Sequence, residues 1–152
     1  MSTEKHIRVR KAKRKDINSI IQVLKSTKLG KEVWAGNEKW MKKALEGCLD
    51  LTNYVLLVAE RDRMIIGFID CCVYPSFWEG ANQGIINHLF VHSAFQGSGA
   101  GTMLVKAIIE RADAERLGEL HVSTERENAK ARRLYAKHGF TEERLLLERV
   151  RI

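Results

Sequence analysis

The sequence predicts an α/β fold, a mixed and mostly antiparallel central sheet flanked by about four helices, and three observations carry that prediction. Two apolar runs, Val55 to Ala59 and Met64 to Val73, are joined by the polar turn Arg61-Asp62-Arg63, the pattern of an antiparallel hairpin. Apolar residues recur at helical spacing in Ile17, Ile20, Ile21 and Leu24, and again in Leu104, Ala107, Ile108 and Ala112. Between the apolar run Ile85 to Val91 and the helical pattern Met103 to Leu117 lies the cluster Gln96-Gly97-Ser98-Gly99-Ala100-Gly101-Thr102, which reads as a strand, a tight turn and a helix start.

Taken in order, Ile7-Arg8-Val9-Arg10 alternates and predicts a first strand. Asp16 is placed to cap the helix that begins at Ile17. Gly30 closes this region, and Lys28 to Gly36 is expected to be a loop, with Trp34 a candidate for lining a substrate pocket. Asn37 starts a second helix whose broad apolar face carries Trp40, Ala44 and Cys48 beside Met41, Leu45 and Leu49. The hairpin follows, and Pro75 is expected to open a loop, Ser76 to Asn82, that carries Trp78 and Glu79. The third helix ends at Gly118, Leu120 to Ser123 is a short strand, and Asn128 starts a fourth helix that Gly139 ends. A last strand is expected over Leu145 to Val150.

The 152 residues suit one domain with a single sizeable core. No apolar stretch approaches the roughly 18 residues that a membrane helix needs, and the first residues lack the apolar core of a signal peptide, so a cytoplasmic location is expected. Three cysteines, Cys48, Cys71 and Cys72, make an odd number without a Cys-x-x-Cys pair, which argues against a disulfide framework. The five histidines show no metal-ligand spacing, and no metal is expected. The net charge of +7 suits a polyanionic partner, but the basic residues are spread along the chain and no nucleic-acid-binding motif accompanies them. A phosphorylated cofactor is the better partner for that charge.

The glycine cluster has the chemistry to receive one. Glycines let the backbone approach a ligand, and the first amides of the following helix have no partner within it, so both features attract an anion. A phosphate-binding loop of the Gly-Lys-Ser/Thr type is excluded, because Gly101 is followed by Thr102 and Met103. The dinucleotide fingerprint fails as well, since its third glycine falls on Thr102.

Leu89 to Gly101, followed by Asn128-Ala129-Lys130-Ala131-Arg132-Arg133-Leu134-Tyr135-Ala136-Lys137-His138-Gly139-Phe140, closely resembles the GNAT superfamily of N-acetyltransferases. The family's loop signature is met by Gln96, Gly99 and Gly101, and its Asn-x-x-Ala-x-x-Leu-Tyr-x-x-x-Gly-Phe helix is met position for position. The resemblance implies that acetyl-coenzyme A lies where the strand ending at Val91 splays from the strand at Leu120. It implies further that the backbone of Leu89, Phe90 and Val91 holds the pantetheine arm, and that Gly97, Ser98, Gly99, Ala100, Gly101 and Thr102 take the pyrophosphate. Family habit sets Asn128 near the cofactor arm, beside its alternative role as a helix cap, and makes Tyr135 the acid that protonates the leaving thiolate.

The base is left open by the sequence. Where many relatives carry a glutamate, this chain has Asn87, which cannot take a proton, and His88 beside it can. Regular strand alternation puts the two on opposite faces, unless a bulge re-aims His88. Asp70, Glu79 and a water chain are alternatives, and Trp34, Asp70, Trp78 and Glu79 are candidates for the acceptor side. The resemblance also implies a closing two-strand hairpin, for which Thr141 to Ile152 is short, so either the acceptor side is open or a second copy completes it as a homodimer. The expected function is transfer of an acetyl group to a primary amine, of a small molecule, a protein N-terminus or a lysine, by direct attack in a ternary complex. A catalytically idle acyl-coenzyme A-binding module and a nucleic-acid-binding protein are the competing readings.

Overall fold

The computed structural model describes residues 6–34 and 36–151, with the side chains of residues 33 and 34 outside that description. The chain runs through β1 (Arg8–Lys11), α1 (Ile17–Ser26), α2 (Lys28–Trp34), α3 (Glu38–Leu49), β2 (Tyr54–Arg61), β3 (Met64–Ser76), β4 (Ala81–Val91), α4 (Ala100–Ala114), β5 (Leu120–Val122) and α5 (Ala129–Lys137). The strands form one sheet in the order β1-β2-β3-β4-β5, antiparallel except for the parallel pair β4 and β5. The mixed, mostly antiparallel sheet expected from the sequence is therefore present.

Strand alternation sends β2 and β3 side chains to two apolar layers. Val55, Leu57, Ile69 and Cys71 meet Leu104, Val105 and Ile108 of α4 and Tyr135 of α5. Leu56, Val58 and Phe68 meet Ile20, Ile21 and Leu24 of α1 and Met41 of α3 on the other face. Burial on both faces explains why β2 and the first half of β3 read as nearly continuous apolar runs.

Several local expectations are corrected. Lys28 to Gly36 is not an open loop: α2 occupies Lys28–Trp34. Gly30 is buried inside that helix instead of ending the region, because a Cβ there would collide with the Leu24 carbonyl. Trp40 is largely exposed, and the inward face of α3 is narrower, formed by Met41, Leu45 and Leu49. Asp16 does not cap α1 through its side chain; the carboxylate turns back to Arg10 and to the Lys13 amide.

Pro75 stands within β3, opposite Asn82, and does not open a loop. Val73 N–H points to Asn53 O just before β2 begins, so the nitrogen of Pro75 points to the same side, past the end of β2. A missing N–H costs nothing there. The strand expected over Leu145 to Val150 is not formed: residues 141–151 pair with no strand and are exposed, held at Arg132 to Glu143 (2.5 Å) and Arg144 to Glu119 (3.8 Å). Leu145, Leu146, Leu147 and Val150 thus face outward without a sheet surface to cover.

Candidate active site

Two irregularities of β4 build the site. The first is a bulge. Asp70 faces His88 across the β3–β4 ladder, yet Cys71 faces Ile86, so Asn87 is an extra residue on β4. Asn87 Nδ2 reaches Cys72 Sγ at 3.3 Å, while His88 reaches Asp70 through its backbone N–H (2.6 Å to Oδ1) and its ring Nδ1 (2.8 Å to Oδ2). Asp70 and Cys72 are two apart on one strand and share a face, so Asn87 and His88 do as well. The bulge re-aims His88 to the α1/α3 side, the condition under which it stands in for a carboxylate at that position.

Asp70 is 2% exposed and its carboxylate also accepts the hydroxyl of Tyr54 on β2. The hydrogen bond from His88, then the carboxylate's charge, raises the imidazole pKa above 6.5, against the opposing effect of burial. With Nδ1 turned to Asp70, Nε2 is the ring atom left for substrate, and the side chain is 57% exposed. Tyr54 itself is held protonated by burial and by Asp70. Burial raises the pKa of the Cys48 and Cys72 thiols and pushes Cys71 up to about 12, which disfavours the thiolate form.

The second irregularity is a splay. β5 pairs only with Gly84, Ile85 and Ile86, so from Asn87 onward β4 has no strand on that side among the described residues. His92 N–H donates to Ile66 O at 2.8 Å, which by alternation turns Phe90 toward β3 and the peptide groups of Leu89 and Val91 into the gap. An extended amide-bearing chain fits such an edge, as an added strand would.

The glycine loop closes one end of the gap. Gly97 (φ 79°) and Gly99 (φ 88°) occupy the left-handed region, and a Cβ at either would meet open space, so conformation and not crowding selects glycine there. The first helical bond of α4 runs from Met103 N–H to Gly99 O at 3.1 Å, leaving the amides of Gly101 and Thr102 ahead of it. The Ala100 amide lies 3.4 Å from Ser98 Oγ, and Gln96 Oε1 accepts from Lys130 Nζ at 3.4 Å, bringing α5 to the loop. These residues fit a diphosphate: aligned amides, a helix N-terminus and a nearby lysine.

On α5, Asn128 Oδ1 accepts the Ala131 amide at 3.1 Å, the helix cap expected as one of its two roles. Tyr135 is 6% exposed, packs edge-on against Phe140 at 5.5 Å, and has its pKa pushed up to about 12 by burial and then by the charge of Asp70. It therefore holds its proton at neutral pH.

Other candidates lie apart. Trp78 and Glu79 sit on the exposed turn between β3 and β4, past Ser76, where β3 ends six residues beyond Asp70, or about 20 Å along the strand. Trp34 closes α2, and its side chain lies outside the described residues. Sequence reasoning missed Tyr54. Its only signal was an aromatic at the start of a buried strand, and its link to Asp70 needs the β2–β3 register.

A splayed parallel pair and a glycine loop at a helix start are features that an acyl-coenzyme A-dependent transferase would use. The chain matches the acetyltransferase (GNAT) family over residues 17–140 and belongs to that family; it is an acyltransferase. It is 31% identical over 132 residues to an uncharacterized N-acetyltransferase of Archaeoglobus fulgidus, covering 84% of this chain and 88% of the relative. A transcriptional regulator from Bacillus halodurans has a similar structure (TM-score 0.84, 25% identity, 94% of this chain and 99% of that one). The fold also matches an aminoglycoside N-acetyltransferase in complex with coenzyme A (TM-score 0.81, 20% identity, 100% of this chain and 99% of that one).

Proposed function

We propose that this protein transfers the acetyl group of acetyl-coenzyme A to a primary amine by direct attack within a ternary complex. The observation that carries the reading is the re-aimed His88, held by Asp70 on the strand whose edge opens into the gap. Acetyl-coenzyme A supplies an activated thioester. In this reading the amides from Gly97 to Thr102 hold its diphosphate and the peptide groups of Leu89 and Val91 hold its amide-bearing arm.

An amine reaches the reaction as an ammonium ion and must lose a proton before it can attack. His88 Nε2 takes that proton. Tyr135, still protonated at neutral pH, gives one to the departing thiolate. Burial raises the pKa of Cys48, Cys71 and Cys72 and so disfavours the thiolate that a cysteine-bound route needs, which supports direct transfer. Asn87 has no part in proton transfer and acts through the bulge.

The same proposal places the protein in the cytoplasm as a homodimer. No helix among the described residues is long and apolar enough to cross a membrane. The exposed leucines 145–147 and the three-residue β5 supply the dimer's motive, an apolar tail and a short strand edge that a second copy would cover.

Calorimetric titration with coenzyme A, then a thiol-release screen over small amines, peptide N-termini and lysine peptides, tests the reading. One-site binding and acceptor-dependent thiol release that His88→Gln strongly reduces are expected. Absence of coenzyme A binding, or release unaffected by that substitution, overturns it.

A further inference from the structure

Asp70 does more than neutralise a histidine. Its Oδ2 is shared by two donors from different strands, the Tyr54 hydroxyl of β2 and His88 Nδ1 of β4, while Oδ1 takes the His88 amide. A buried carboxylate with every donor supplied in place is costly to leave half satisfied, so the three groups form one unit with few alternative arrangements.

We propose that Asp70 and Tyr54 are positioning residues for His88. Asp70 fixes the imidazole as the Nδ1–H tautomer with Nε2 toward the acceptor, and Tyr54, by sharing Oδ2, weakens the carboxylate's pull on the ring. The proposal deepens the reading of His88 as the base and rests on it.

The proton transfer balances within this unit. An acceptor N–H bond breaks, an Nε2–H bond forms, and the resulting imidazolium stays hydrogen-bonded to the Asp70 carboxylate. A carboxylate that orients a histidine in this way governs which nitrogen is basic. Tyr54 has the opposite influence. Its hydroxyl occupies part of Oδ2, so removing it concentrates the carboxylate's charge on His88.

The titratable groups around the pair are Tyr54 on β2, Asp70 and Cys72 on β3, Cys48 on α3 and Tyr135 on α5. The two tyrosines and the two thiols are all raised, so none of them changes charge between pH 5 and 8. The titration of His88 in that window is its own.

Long-range proton–nitrogen NMR on the full chain labelled at histidine nitrogens reads the tautomer and the titration directly, with His88→Gln assigning the signal. The wild type is expected as Nδ1–H with a midpoint above 6.5. Asp70→Asn, whose amide donates to Nδ1, is expected to switch the ring to Nε2–H and lower its midpoint. Tyr54→Phe is expected to keep the tautomer and raise the midpoint.

An Nε2–H tautomer in the wild type, or a Tyr54→Phe midpoint that stays or falls, overturns the proposal. Should Asp70→Asn fail to fold, Tyr54→Phe decides alone. None of these readings needs an acceptor. Acetyl transfer that ignores His88→Gln would remove the base role while leaving the NMR result standing, so the two failures are distinguishable.

Discussion

Asn87 donates to Cys72 through a 3.3 Å contact, one residue before His88 bonds to Asp70 on the same face of β3. Two successive residues share a face only because Asn87 is an extra residue in the ladder. Deleting Asn87 is therefore expected to set His88 directly after Ile86, on the opposite face from it and still across from Asp70. Coenzyme A binding and acetyl transfer should both persist in the deletion variant, while His88→Gln lowers transfer by about 10²-fold or more, the usual worth of a positioned base. Titration calorimetry and thiol release on the two variants check both halves.

The acid limb of activity should report His88. Its pKa is raised by Asp70, so below that value the ring is protonated and cannot accept from the acceptor, and the rate must rise with pH through a midpoint above 6.5. Tyr135 stays protonated until about 12, so it imposes no alkaline limb in the accessible range. A pH profile of kcat/KM with saturating acetyl-coenzyme A checks this. A fall in rate between pH 8 and 10 that Tyr135→Phe removes would contradict the assignment.

Gly99 supports the cofactor through conformation alone. At φ 88°, with nothing within 4 Å of a would-be Cβ, Gly99→Val forces a branched residue into the left-handed region. A cost of about 1–2 kcal/mol is expected for holding that geometry. The loop should relax away from it and weaken coenzyme A by about tenfold or more, equivalent to ~1.4 kcal/mol. Gly101 differs: its Cβ would sit 3.6 Å from Leu134 Cδ2, an ordinary contact, so Gly101→Ala is expected to bind nearly normally. Calorimetry on the two variants separates the roles.

The parts legible in the sequence were those set by local patterns. Periodicity marked Ile17 to Leu24, the polar turn Arg61-Asp62-Arg63 marked the hairpin, and the glycines marked the turn into α4. The illegible parts depend on neighbours far along the chain. Gly30 read as a terminator because its burial against Leu24 has no sequence signature. Pro75 read as a loop because β2 begins only at Tyr54, opposite Cys72, and leaves that side of β3 open beyond it. Leu145 to Val150 has the composition of a strand, but a strand needs an edge, and the described chain pairs nothing with it. The site was half legible. Tyr135, Asn128 and the glycine loop came with the family motifs, whereas the Tyr54–Asp70–His88 unit depends on register across three strands and on one bulge.

Stability should depend on a second buried carboxylate. Arg10 grips Asp16 with both terminal nitrogens, at 2.7 and 3.0 Å, and also donates to Glu60 at 3.0 Å. The hydrogen bond from Arg10, followed by that from the Lys13 amide, outweighs burial and holds the Asp16 pKa below 3.8. A pKa lowered by folding adds stability at pH values above the unfolded one, and that contribution is lost as pH falls through the folded value. Asp16→Asn is expected to cost about 3 kcal/mol at pH 7, because a partly buried guanidinium loses a charged partner. Equilibrium urea unfolding of both proteins at pH 7 and pH 3 checks it. The gap between them should narrow at the lower pH.

The tail offers the last test, because its composition and its exposure conflict. Leu145 and Leu147 would share a face if the segment were extended, and both are more than four-fifths exposed, at 84% and 89%. Exposed leucines of this density favour burial, and the nearby β5 offers only three residues of edge. In the proposed homodimer a second copy covers them. The paired substitution Leu145→Asp with Leu147→Asp should convert a dimer to a monomer in light scattering. Coenzyme A affinity should stay within about twofold, since among the described residues the tail's ion pairs run to Arg132 and Glu119 and not to the glycine loop. A wild-type chain that is monomeric at every concentration measured would remove the second copy from the proposal and leave the acceptor side open to solvent.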